Sequence, residues 1–174
     1  LRATCAWIRA VDMAMHSGSS GKEATAAATR TIPFCLTRPP GHHATYSQSN
    51  GFCIFNFAAA AAMHVLMKAT ATAATTTTNN NNDNKSMKVS IIDWDVHYGQ
   101  GTADIVARHA DMRYVSIHQT PAFPYMGESN AILGQPYQNV RTIPMPPDTT
   151  WTCGYEALWE QALDFCYKPG EWEP

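Results

Sequence analysis

The stretch from Val89 to Gly101, VSIIDWDVHYGQG, limits the fold more than any other part of the chain. Its apolar start, Val89 to Ile92, runs straight into ionisable side chains at Asp93, Asp95 and His97. Such a run predicts a buried strand of a parallel sheet. Gly99 and Gly101 then break it and open a loop. Alternate strand residues share a face, so Asp93, Asp95 and His97 should converge at the strand's C-terminal end. Open α/β sheets keep their sites there. Two carboxylates and an imidazole at a buried edge need compensation, from a metal ion or a hydrogen-bond network. The alternative is a strand end with two solvated aspartates and a histidine.

With 174 residues the chain suits one domain with a real core. Its formal net charge of −2 gives no basic field for nucleic acid. No stretch approaches the roughly 20 apolar residues of a membrane span. The N-terminus, Leu1-Arg2-Ala3-Thr4, shows no signal-peptide pattern and reads as a cut edge. Cys5, Cys35, Cys53, Cys153 and Cys166 show no CxxC spacing, which argues against a disulfide scaffold and fits a reducing compartment.

Apolar spacing predicts a helix over 2–16, with Gly18 as its stop. A short strand is expected at 32–37, then a long loop over 38–51. Residues 52–68 are apolar on nearly every face and read as a buried helix. Residues at about 69–87 are runs of Thr and Asn with little apolar mass beyond alanine, expected to be a disordered surface insertion. Thr102 is expected to cap a helix to about 110. Strands follow at 112–118 and 140–143, separated by a long loop, and a helical stripe runs from 151 to 167. Alternating strands and helices indicate an α/β fold with a central, mostly parallel sheet.

The segment Arg38-Pro39-Pro40-Gly41-His42-His43-Ala44 carries the second chemical signal. Adjacent histidines on a stiffened loop can be a metal site, a general-base pair or an accident. Side by side, each raises the other's cost of protonation, so one can stay a neutral base near pH 7. A carboxylate on one ring nitrogen would fix the tautomer; Asp93 is the candidate partner.

RPPGHHA at 38–44, GFCIFN at 51–56, IIDWDVHYGQGT at 91–102 and VSIHQTPAFP at 115–124 together resemble the histone deacetylase superfamily, its class II branch most closely. The resemblance covers nearly the whole chain outside 69–87 and implies an arginase/deacetylase-like α/β fold, here incomplete. It implies zinc-dependent removal of acetyl groups from lysine, in histone tails or other proteins, or from polyamines. Asp95 and His97 match two of three zinc ligands. His43 matches the general base on the attacking water, His42 its electrostatic partner or proton donor, and Asp93 the carboxylate that orients His42. Gly51, Phe52 and Phe123 match the acyl-lysine tunnel. Asp93, Asp95, His97, Ser116 and Ile117 match a monovalent-cation site, usually potassium. The resemblance further implies an acetylated protein as partner, corepressor-type partners, and a nuclear or cytoplasmic location, with no direct nucleic-acid or membrane contact.

Two departures and one gap qualify it. Gln100 stands where the family usually has Asp or Asn, so His43 should be less basic. Tyr98 replaces a frequent histidine. The third zinc ligand and a transition-state tyrosine have no counterpart up to Pro174. The chain therefore reads as part of a catalytic domain, and an inactive interaction domain is a further alternative.

Overall fold

The computed structural model describes residues 2–17, 31–75, 87–134 and 138–167. Its centre is a four-stranded sheet of β1 (Val89–Asp93), β2 (Met112–Gln119), β3 (Ala131–Ile132) and β4 (Val140–Met145), in the order β1-β2-β4-β3. β1, β2 and β4 are mutually parallel, and only the short β3 runs antiparallel. The helices are α1 (Arg2–Ser17), α2 (Phe57–Thr75), α3 (Gln100–Val106) and α4 (Glu156–Tyr167).

β2 sits inside the sheet and is the most buried strand. Its side chains alternate between two cores, as the two-residue period of a strand requires. Met112 and Tyr114 pack with Ala62, Tyr98, Ala103 and Val106, on the side of α2 and α3. Val115 and Ile117 pack with Ile143, Ala162, Phe165 and Cys166, on the side of α4. Helices on both faces of a mostly parallel sheet are the architecture the sequence predicted. The register sets Asp93, the last residue of β1, directly beside Ser116 of β2.

Several local expectations change. Residues 31–37 form no strand and pair with none among the described residues. Ile32, Phe34 and Leu36 are 90, 85 and 88 % exposed. The segment is tied to α1 instead, through Trp7 Nε1–H donating to Thr37 Oγ1 at 3.0 Å. A short apolar run does not by itself supply a sheet neighbour.

α2 starts at Phe57, not at residue 52. Asn56 caps it, its Oδ1 accepting the Ala59 N–H at 3.1 Å, while Gly51 and Phe52 form a turn with positive φ. The helix also runs past Lys68 to Thr75, into the expected insertion. Alanine is the best helix former, and Thr70 and Thr72 bond back to the carbonyls of Leu66 and Lys68 at 3.0 Å each. The rest of that insertion, 76–86, lies outside the described residues.

α3 begins two residues before Thr102, and Gly99 holds its cap position. Thr102 is buried and serves as a bracket: its N–H donates to His42 O at 3.0 Å, and its Oγ1 accepts Asn56 Nδ2–H at 3.0 Å. Before α4, Trp151–Tyr155 make a wide turn in which Cys153 and Gly154 leave helical geometry. All five cysteines are free thiols. No helix among the described residues is long and apolar enough to cross a membrane.

Candidate active site

β1 ends at Asp93, so positions 95 and 97 are not on the strand. A stepped turn carries them instead. Asp93 Oδ1 accepts the Asp95 N–H at 3.1 Å, and Asp95 Oδ1 accepts the His97 N–H at 2.9 Å. Each aspartate thus folds its own backbone two residues on. The expected convergence occurs, through side chain to backbone bonds and not strand alternation. His97 Nδ1 lies 3.1 Å from Asp95 Oδ1.

The histidine pair arrives on a tight turn closed by the Ala44 N–H on Gly41 O at 3.1 Å. Buried Cys53 supports this turn, its Sγ accepting the Gly41 N–H at 3.1 Å. The two imidazoles lie 4.1 Å apart, centroid to centroid. His42 Nδ1–H donates to Asp93 Oδ2 at 2.8 Å. His43 Nδ1–H donates to Gln100 Oε1 at 2.7 Å. Both rings therefore leave Nε2 for chemistry. His42 Nε2 is buried without a hydrogen-bond partner and lies 3.8 Å from Asp95 Oδ1.

The different partners separate the two histidines electrostatically. Burial pulls His42 down, but the Asp93 hydrogen bond and the charges of Asp93 and Asp95 outweigh it, and its pKa is raised. Burial and the charges of His42 and His97 lower His43, and the neutral Gln100 offsets only part of this. Burial pushes Asp93 up, yet His42, Tyr114 and the Asp95 N–H together hold it below its usual value.

Gly51 touches the His43 ring. A Cβ there would sit 2.7 Å from His43 Cγ, and its φ of +50° already disfavours other residues. Phe123 meets His43 edge to face at a centroid distance of 4.9 Å. Phe52 is 97 % exposed. Ser116 and Ile117 are fully buried on β2, with Ser116 beside Asp93. The sequence did not point to Tyr114, whose OH donates to Asp93 Oδ2 at 2.8 Å. Its only signal was sharing a strand face with Ser116. Asp95 and His97 are the side chains available to a metal. Among the described residues, no group of three His, Cys, Asp or Glu is placed to hold one.

A family model described as "Histone deacetylase domain" matches residues 1–169. The chain belongs to the histone deacetylase family. Acetylpolyamine amidohydrolase 2 of Pseudomonas aeruginosa is 32 % identical over 89 % of this chain and 40 % of its own length. Histone deacetylase 6 of Caenorhabditis elegans is 40 % identical over 48 % of this chain and 7 % of its own length. A crystal structure of a histone deacetylase homologue from Aquifex aeolicus shares the fold, with a TM-score of 0.63, 21 % identity, and coverage of 99 % of this chain and 38 % of the other. This histone deacetylase family chain thus spans less than half the length of these relatives.

Proposed function

We propose that the whole protein is a zinc-dependent amidohydrolase that removes acetyl groups from acetyl-lysine in histones or other proteins. This chain would supply its proton-handling histidines and two of its metal ligands. The observation that carries the reading is the tandem pair: His42 on a carboxylate and His43 on a neutral amide, beside Asp95 and His97.

Asp95 and His97 would hold zinc through a carboxylate oxygen and an imidazole nitrogen, both ligand types that zinc takes. The buried, unpartnered His42 Nε2 facing Asp95 suits a site that receives a polar reactant. Bound zinc supplies a Lewis acid at the acetyl carbonyl and lowers the pKa of a water. His43 takes the proton of the attacking water at Nε2, because Gln100 engages its Nδ1–H. His42, whose protonated form Asp93 favours, would offset the negative charge that develops and hold a proton for the leaving amine. Gly51, Phe52 and Phe123 would line the acyl-lysine stem, an apolar rod that aromatic faces desolvate. Potassium would lie among Asp93, Asp95, His97, Ser116 and Ile117, where it would brace the strand ends. A third zinc ligand would come from outside the described residues. Two protein ligands hold zinc more weakly than three, so this chain alone should be a poor catalyst.

A second substrate class, acetylpolyamines, is favoured by the 89 % of this chain that aligns with the Pseudomonas amidohydrolase. Turnover of an acetyl-lysine peptide against an acetylpolyamine by the full-length protein separates the two. Faster turnover of the peptide supports the first reading. No zinc in the purified full-length protein by elemental analysis would sink both and favour an interaction domain.

A further inference from the structure

His118 stands outside every role assigned so far, yet it is 1 % exposed and satisfied at both ring nitrogens. Its Nε2–H donates to Gly127 O at 3.0 Å. Its Nδ1 accepts the Ser116 hydroxyl at 3.0 Å. Its ring lies against Tyr98, with centroids 4.9 Å apart. Gly127 is shaped for this contact. Its φ is +76°, and a Cβ there would come within 2.8 Å of His118 Nε2 and 3.2 Å of Tyr98 Cδ1.

Gly127 closes the loop that leaves β2 after Gln119 and carries Phe123. The start of the loop is pinned by the Gln119 N–H on Val96 O at 2.9 Å. Beyond Gly127, Thr142 Oγ1–H donates to Ser129 O at 2.6 Å. Between these ends the loop is exposed at Tyr125 and Met126. Phe123 nevertheless meets His43 at 4.9 Å and His97 at 6.3 Å, edge to face. A ring in the middle of an exposed loop stays there only if the loop's ends are fixed.

We infer that His118 is a positioning residue: with Tyr98 it clasps Gly127 and so holds Phe123 against the active-site histidines. The consequence for substrate rests on the amidohydrolase reading, in which Phe123 walls the acyl-lysine stem. A wall that contacts the stem equally in ground and transition states acts on KM and leaves kcat.

The test compares wild type, His118→Ala and His118→Gln in the full-length, zinc-loaded protein. The glutamine amide can still donate to Gly127 O. His118→Ala should raise KM for an acetyl-lysine peptide about tenfold with little change in kcat, and should speed chymotryptic cleavage after Tyr125. His118→Gln should restore both. Unchanged KM and cleavage in His118→Ala would overturn the proposal, as would a glutamine variant no better than alanine. Should His118→Ala fail to fold, Gly127→Ala opens the same contact from the other side; the same KM rise supports the clasp, and an unchanged KM overturns it. If wild type shows no amide hydrolysis, the functional reading fails, and the cleavage rates alone decide the clasp.

Discussion

His43 donates its Nδ1–H to the neutral amide of Gln100 at 2.7 Å, whereas its neighbour His42 donates to the carboxylate of Asp93. Adjacent imidazoles, tilted 46° to one another, are thereby driven in opposite directions, His42 up and His43 down. Two copies of one side chain acquire different proton affinities.

In the proposed amidohydrolase, Gln100 sets where His43 works as a base. His43 must be neutral to accept a proton, so activity should fall as pH drops through a pKa below the ordinary value of about 6.5. Gln100→Asp adds a negative charge at Nδ1 and raises that pKa. The acid limb of kcat/KM against pH should move to higher pH in the variant. An unmoved limb would show that His43 is not the group being read.

Asp93 couples the site to stability. Its folded pKa is depressed, so its contribution is present above about 3.9 and is lost as pH falls through the lower folded value. His42 is raised, so its contribution is complete below about 6.5 and is lost as pH rises through its higher folded value. The pair therefore stabilises most between those limits. Asp93→Asn should cost about 1–3 kcal/mol there. Thermal melts across pH should show the gap between variant and wild type closing in strong acid.

Tyr114→Phe removes the hydroxyl that donates to Asp93 and leaves the aromatic packing in place. Denaturant unfolding should show a loss of about 0.5–1.5 kcal/mol. A neutral result would mean that Asp93 needs no second side-chain donor.

Asn56 caps α2 and also bridges Ala44 O and Thr102 Oγ1. Asn56→Ala should cost more than a surface cap, about 2 kcal/mol or above. It should also loosen the histidine turn, because Ala44 follows His43 directly. Amide exchange at 42–44 checks this: unchanged protection there would confine Asn56 to capping.

The clustering of the site's side chains was legible where they are written contiguously. RPPGHHA and DWDVH name the histidines and the aspartates, and the structure brings these residues together. The supports were not legible, because their partners are distant in sequence. Tyr114 lies 21 residues from Asp93, and Cys53 lies 12 from Gly41. The sequence assigns His118 no role, because its meaning depends on where Gly127 returns. Composition misled at 69–75, where alanine's helix propensity prevails over low apolar content. At 32–37 the strand pattern is real, but nothing local reveals whether a neighbouring strand is present to receive it.

Acetate release from an acetyl-lysine peptide, measured for the full-length protein and its His43→Ala variant, tests the central claim most directly. Wild type should release acetate, and the variant should lose about 10²–10⁴-fold in rate. Equal release by the two proteins, or none from wild type, would contradict it.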